Sequence, residues 1–172
     1  RLDVAYSLPF DFLDELSQRL HRLRTDVWLM GEVIHGDYAA FVAPGRLDSV
    51  TNYECYKGLW SSFNDRNLHE IAHSLDRLFG DGGLLADALS RGDLPYSFAD
   101  NHDVDRLASR LEHDEHLVPL YTILWTMPGI PSVYYGSEYG IRGSKAGGDD
   151  ELRPPVDRVS HERPALAGYL RE

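Results

Sequence analysis

Short segments of strand character alternate with longer helical ones along the whole chain, and this alternation limits the fold more than any other feature. The strand segments are Arg1–Ala5, Asp26–Val33, Val50–Tyr53, Tyr96–Ala99 and Pro131–Gly136. Between them apolar residues recur at helical spacing. After Pro9 they are Phe12, Leu13, Leu16, Leu20 and Leu23; in Leu68–Phe79 they are Ile71, Ala72, Leu75, Leu78 and Phe79, stopped by Gly80. Lys57–Phe63 predicts a short helix, and Gly82–Leu94 one or two further turns. His116–Met127 is an apolar helix ended by Pro128-Gly129, and Pro164–Arg171 a last helix with Pro164 at its first position. Phe41–Leu47 and the Gly- and Asp-rich Arg142–Pro155 read as loops. Such an order is the signature of a parallel sheet with crossover helices, an α/β fold. At most five strands fit in 172 residues, whereas a closed eight-stranded barrel takes about 250 residues. The chain is therefore expected to form part of such a barrel.

Composition narrows the partners. The net charge of -11 argues against nucleic acid and against anionic membrane surfaces, and no apolar run approaches a membrane span. The single cysteine, Cys55, excludes an internal disulfide and points to the cytoplasm. No signal peptide is visible, but the chain begins with Arg1 and not Met, so this says little about localisation.

Polar residues stand where strands end. Asn101-His102-Asp103 follows Tyr96–Ala99 directly, and Asp3 and Glu32 close the first two strand segments. In parallel α/β architectures the C-terminal ends of the strands form the functional face. A carboxylate ending a buried run is costly unless it has a task or a partner. Two carboxyl groups roughly 5–5.5 Å apart suit a glycosidase that retains configuration, one attacking the sugar carbon and one protonating the leaving oxygen. The structural alternative stays open for each: Asn101 as a helix cap with Asp103 in the first turn, and the others as capping or ion-paired groups. His69 and His73 stand four apart without an evident third metal ligand and read as a solvated helix face. Gly147-Gly148-Asp149-Asp150 reads as a surface loop, with calcium binding as the alternative. Tyr134-Tyr135 is a candidate sugar platform, although alternation turns one ring into the packing.

Four motifs together resemble the α-amylase family of glycoside hydrolases. RLDVA at 1–5 is similar to that family's fourth-strand motif, and GEV at 31–33 resembles its fifth. FADNHDVDR at 98–106 resembles the seventh-strand motif, and MPGIPSVYYGSEYG at 127–140 the eighth-strand segment; VTNYE at 50–54 also resembles the sixth strand. The match runs over nearly the whole chain. It implies the second half of a (β/α)8 TIM barrel, strands four to eight, with residues 1–172 a partial catalytic domain whose first half is missing. It implies Asp3 as nucleophile, Glu32 as general acid/base and Asp103 as transition-state stabiliser. Arg1 would pair with Asp3 and keep it ionised, and His102 would bind sugar hydroxyls. Glu32 would sit in a more apolar site beside Trp28, Leu29 and Met30, and Arg106 would position its loop. The implied activity is retaining hydrolysis of α-1,4-glucans or maltooligosaccharides, with a half-barrel that only binds sugar or self-assembles as the alternative.

Some family features have no counterpart. The first three strands, the inserted small domain and the third-strand Asn-His motif are absent, and the Lys-His pair of many starch-degrading members reads Tyr6-Ser7. The resemblance implies no definite cofactor, with calcium as an option in the full-length parent. Two unpaired sheet edges would favour a homo-oligomer or a partner supplying the missing half.

Overall fold

The computed structural model describes residues 1–161 and 163–171; the end of the expected domain at Glu172 lies outside them. The expected α/β order is present. In chain order the elements are α1 (Phe10–Leu23), β1 (Met30–Gly31), α2 (Tyr38–Phe41), β2 (Ser49–Val50) and α3 (Tyr53–Asn64). There follow α4 (His69–Phe79), α5 (Ala86–Arg91), β3 (Tyr96–Phe98), α6 (Leu107–Arg110), α7 (Leu117–Thr126), β4 (Ile130–Ser132), α8 (Asp149–Leu152) and α9 (Pro164–Tyr169). Two units share them. The first comprises Arg1–Cys55, His73–Ser97 and Pro128–Ile130; the second comprises Tyr56–Ala72, Phe98–Met127 and Pro131–Glu172.

The first unit is built on a parallel ladder. Leu2 bridges Gly31, with Leu2 N–H donating to Met30 O (2.8 Å) and Glu32 N–H to Leu2 O (2.8 Å). β1 pairs with β2 in register Met30–Ser49 and Gly31–Val50. Thr51 bridges Tyr96, and Ile130 N–H reaches Pro95 O (2.8 Å). Successive strands are thus neighbours in chain order, which parallel pairing permits because helices carry the chain back between them. Ala5, Leu13, Leu29, Val33, Val50 and Leu78 are buried around the ladder.

The strands are shorter than the apolar runs. Asp26–Val33 contributes only β1, because Leu29 N–H donates to the Asp48 carboxylate (2.6 Å) instead of to a strand. Val50–Tyr53 gives way to α3 at Tyr53, where Asn52 Oδ1 accepts the Cys55 N–H (3.0 Å) and caps the helix. Pro131–Gly136 likewise forms a strand only as far as Ser132. Phe41, expected to open a loop, ends α2, whose N-cap is Asp37. In α1, Leu13 is buried, but Phe12 and Leu23 are 48% and 80% exposed. At about 100° per residue both lie to one side of the line through Leu13, Leu16 and Leu20.

Gly31 is the tightest point of the ladder. A Cβ there would lie 2.5 Å from Leu47 Cδ1 and 2.9 Å from Ala5 Cβ. Gly31→Ala is therefore expected to cost about 1–3 kcal/mol, as overpacking does. Denaturant unfolding measures it, and an unchanged midpoint would show that the wall yields freely.

In the second unit α7 buries Leu117, Leu120, Tyr121 and Leu124. The stretch Arg142–Pro155, expected to be a plain loop, holds α8, whose Leu152 is buried. Asp114 joins two distant segments by pairing with Arg142 (2.6 Å) and with Arg163. These guanidiniums, Arg163 foremost, hold its carboxyl below the usual range. Among the described residues no helix is long and apolar enough to cross a membrane.

Candidate active site

The first unit brings Arg1, Asp3 and Glu32 together. Arg1 donates from Nε to Asp3 Oδ1 (2.8 Å). Its Nη2 lies 2.8 Å from the same oxygen and 3.7 Å from Glu32 Oε1. One guanidinium nitrogen thus faces both carboxylates. The two differ in setting: the Asp3 side chain is 72% exposed and that of Glu32 is 8% exposed. The local chain explains the approach. Leu2 is fixed beside Gly31 by the parallel bridge, and Val4 then turns into the left-handed region at φ 53°. For a β-branched residue this conformation costs on the order of 1–3 kcal/mol. Its N–H donates to Glu32 Oε2 (2.9 Å).

Glu32 is also held from its own strand. Thr51, 2% exposed, accepts the Val33 N–H through Oγ1 (2.8 Å) and donates to Val33 O (2.9 Å). The expected apolar site around Glu32 is corrected here. Its closest partners are the polar Val4 N–H and Arg1, while Leu29 and Met30 belong to the core and Trp28 is 46% exposed. A carboxylate taken out of water needs such partners. Thr51 was missed from the sequence; its signal was a hydroxyl-bearing β-branched residue just beyond a buried strand.

The second unit brings His102 and Asp103 together. His102 Nε2 lies 2.9 Å from Asp103 Oδ2. Asp103 N–H donates to Asn101 Oδ1 (2.8 Å), a local turn that sets the carboxylate's direction. Asn101 is therefore not the cap of the next helix. That task falls to Asp100, whose Oδ2 accepts the Leu107 N–H at the start of α6 (2.8 Å). Arg153, also missed from the sequence, donates to Asp103 Oδ1 (3.0 Å) and to His102 O (3.1 Å). It ends α8, which lies within the stretch expected to be featureless.

Behind His102 stands Tyr134, with ring centroids 6.4 Å apart. The Tyr134 and Tyr135 rings meet edge to face at 4.7 Å, and the Arg106 guanidinium covers Tyr134 at 4.2 Å. Burial, with Tyr135 beside it, pushes the Tyr134 phenol up to about 12. Arg106 is fully buried, as its expected structural task requires. His69 and His73 are exposed, and among the described residues no three His, Cys, Asp or Glu side chains are placed to hold a metal ion.

Each unit therefore presents a carboxylate paired with a basic group at the C-terminal end of a parallel strand, the arrangement of an α/β enzyme of barrel type. Residues 8–164 match the family described as "Alpha amylase, catalytic domain", and the chain belongs to that family. It is 27% identical over 173 residues to a cyclomaltodextrinase of a Bacillus species, covering 98% of this chain and 30% of that protein. A 4-alpha-glucanotransferase of Thermotoga neapolitana is 43% identical over 123 residues, covering 69% of this chain and 24% of the relative. The fold superimposes with a TM-score of 0.80 on the cyclic alpha-maltosyl-(1→6)-maltose hydrolase of Arthrobacter globiformis in its maltose complex. That likeness has 21% identity and covers 99% of this chain and 38% of the other. The chain spans less than a third of the length of these curated relatives.

Proposed function

We propose that this chain carries the catalytic groups of a retaining glycoside hydrolase acting on α-1,4-glucans or maltooligosaccharides, on strands four to eight of a (β/α)8 barrel. The observation that carries the reading is the Arg1 guanidinium nitrogen facing both Asp3 and Glu32, one carboxylate exposed and one buried. Asp3 Oδ attacks the anomeric carbon while the Glu32 carboxyl gives its proton to the leaving glycosidic oxygen. The glycosyl ester formed on Asp3 is then cleaved by water, from which Glu32 takes a proton. Two inversions at one carbon give net retention. Arg1 keeps Asp3 anionic and so nucleophilic. Stabilisation of the oxocarbenium charge by Asp103 and binding of sugar hydroxyls by His102 are roles carried over from the seventh-strand motif. No step calls on a cofactor.

The relatives bear the names of both hydrolases and a transferase, so the glycosyl ester can pass to water or to a second glucan. Retention is expected either way. The test is NMR of the first sugar released from maltopentaose: the α-anomer supports the reading, and the β-anomer overturns it. Sugar binding without any release would favour the alternative, a non-catalytic half-barrel that needs a partner or a second copy. That alternative draws on the chain spanning only a fraction of its relatives. We assign the activity to the cytoplasm, where the buried Cys55, its thiol pushed up to about 11 by burial, stays a thiol.

A further inference from the structure

We propose that Asp100 and Ser137 form a clasp that positions the loop bearing His102 and Asp103. The inference rests on the reading of Asp103 as a catalytic group, but its structural half stands by itself.

Asp100 lies two residues beyond β3 and is 2% exposed. Its Oδ2 accepts the N–H of Leu107 (2.8 Å). The bond closes a ring around residues 101–106, the loop that carries both polar groups. Ser137 Oγ, 3% exposed, lies 2.9 and 2.7 Å from the two Asp100 oxygens and donates to them. It accepts in turn from Arg106 Nη1 (3.1 Å), the last residue of the loop. A hydroxyl has one hydrogen to give and lone pairs to receive with, so Ser137 serves both ends of the loop at once. Arg106 also donates from its backbone N–H to Gly143 O (3.0 Å) and from Nη1 to Tyr135 O (2.9 Å).

The arrangement is costly, which is the reason to ask what it does. Burial drives the Asp100 carboxyl above its ordinary range, against the opposing pull of Leu107, Ser137 and Arg106. An apolar residue would fill such a place more cheaply. A carboxylate there can take a backbone N–H and a hydroxyl together. It thereby ties the chain just beyond β3 to the start of α6, seven residues after Asp100. Within the loop, Asp103 is then set by its own short turn, closed by Asn101. Asp100 and Ser137 are positioning residues: they act through the loop.

The test is Ser137→Ala, followed by amide hydrogen exchange and by kinetics on a maltooligosaccharide. Loss of a hydrogen bond to a charged group corresponds to about a tenfold or larger change. Exchange at residues 101–107 is expected to speed up by at least about that factor, with α1 and the centre of α7 unchanged. On the kinetic side kcat falls about tenfold and KM stays within about threefold, because bound sugar is retained while the stabilising carboxylate wanders. Leu124→Ala, a core substitution in the same unit, is expected to raise exchange broadly without singling out the loop. If Ser137→Ala does not fold, Asp100→Asn serves. It preserves the volume and the Leu107 acceptor but cannot accept the Ser137 hydrogen on both atoms. Exchange at 101–107 unchanged, or raised no more than in Leu124→Ala, would overturn the clasp. A parent chain without activity would sink the catalytic reading alone, and the exchange result would still decide the clasp.

Discussion

Glu32→Gln is expected to lower the rate of maltooligosaccharide hydrolysis by about a thousandfold, within the 10²–10⁴ range of general acid–base catalysis. The replacement is nearly isosteric. Its amide oxygen still accepts the Val4 N–H, and Gly31 and Thr51 still fix the strand on either side. What is lost is the proton for the leaving oxygen and, later, the base for water. The effect therefore falls on kcat with little change in KM, and thermal unfolding shifts by no more than a few degrees. The leaving group adds a second reading. A glucosyl fluoride needs far less protonation than an alkyl glycoside, so the deficit on it should shrink markedly. Asp3→Asn, by contrast, removes the attacking oxygen and should be equally inactive on both substrates. A Glu32→Gln protein as slow on the fluoride as on the maltooligosaccharide would remove Glu32 from the acid role. Unchanged hydrolysis of both would remove it from the mechanism.

The carboxylates were legible in the sequence because strand ends are. A short run such as Tyr96–Ala99 stops where polar residues begin, and the parallel order places that stop on one face. The pairing of Arg1 with Asp3 came from the family resemblance, and the two side chains do meet at 2.8 Å. Partners brought by tertiary structure were not legible. Val favours extended backbone, so nothing in its identity announces the left-handed turn that aims its N–H at Glu32. Asp48 takes the Leu29 N–H that the strand pattern would have left to the ladder, and Asn52 and Asp100 take N–H groups at the starts of α3 and α6. The strands formed are two or three residues long. Arg153 sits fifty residues from Asp103 in a stretch of Gly and Asp that reads as solvent. Periodicity speaks only for residues a few positions apart, and each of these contacts depends on the fold being made first.

The largest stability loss is expected from Arg106→Met, about 3–5 kcal/mol, the size expected when a buried carboxylate loses the cation it faces across Ser137. Arg106 is fully buried and Asp100 nearly so, with Ser137 between them. Methionine fills much of the stem's volume, so the loss is mainly electrostatic. Ser137 and the Tyr135 carbonyl lose a donor, and the Tyr134 face loses the cation 4.2 Å above it. For a chain of this size the melting temperature should fall by roughly 10 °C. Acidity supplies the discriminating measurement. The folded Asp100 carboxyl is already raised by burial, with Glu138 adding to the rise and Leu107, Ser137 and Arg106 opposing it. A raised group favours the folded state below its unfolded value near 3.8, and that advantage is lost as pH rises through the folded value. Removing Arg106 raises the folded value further. The deficit of Arg106→Met should thus be small at acid pH, where Asp100 is protonated in the folded state with or without Arg106, and should grow as pH rises through the raised folded value. Adding Asp100→Asn removes the charge left alone and should return a good part of the loss at neutral pH. A deficit independent of pH, with no recovery in the double variant, would mean that Arg106 serves by packing on the two tyrosines and not by balancing Asp100.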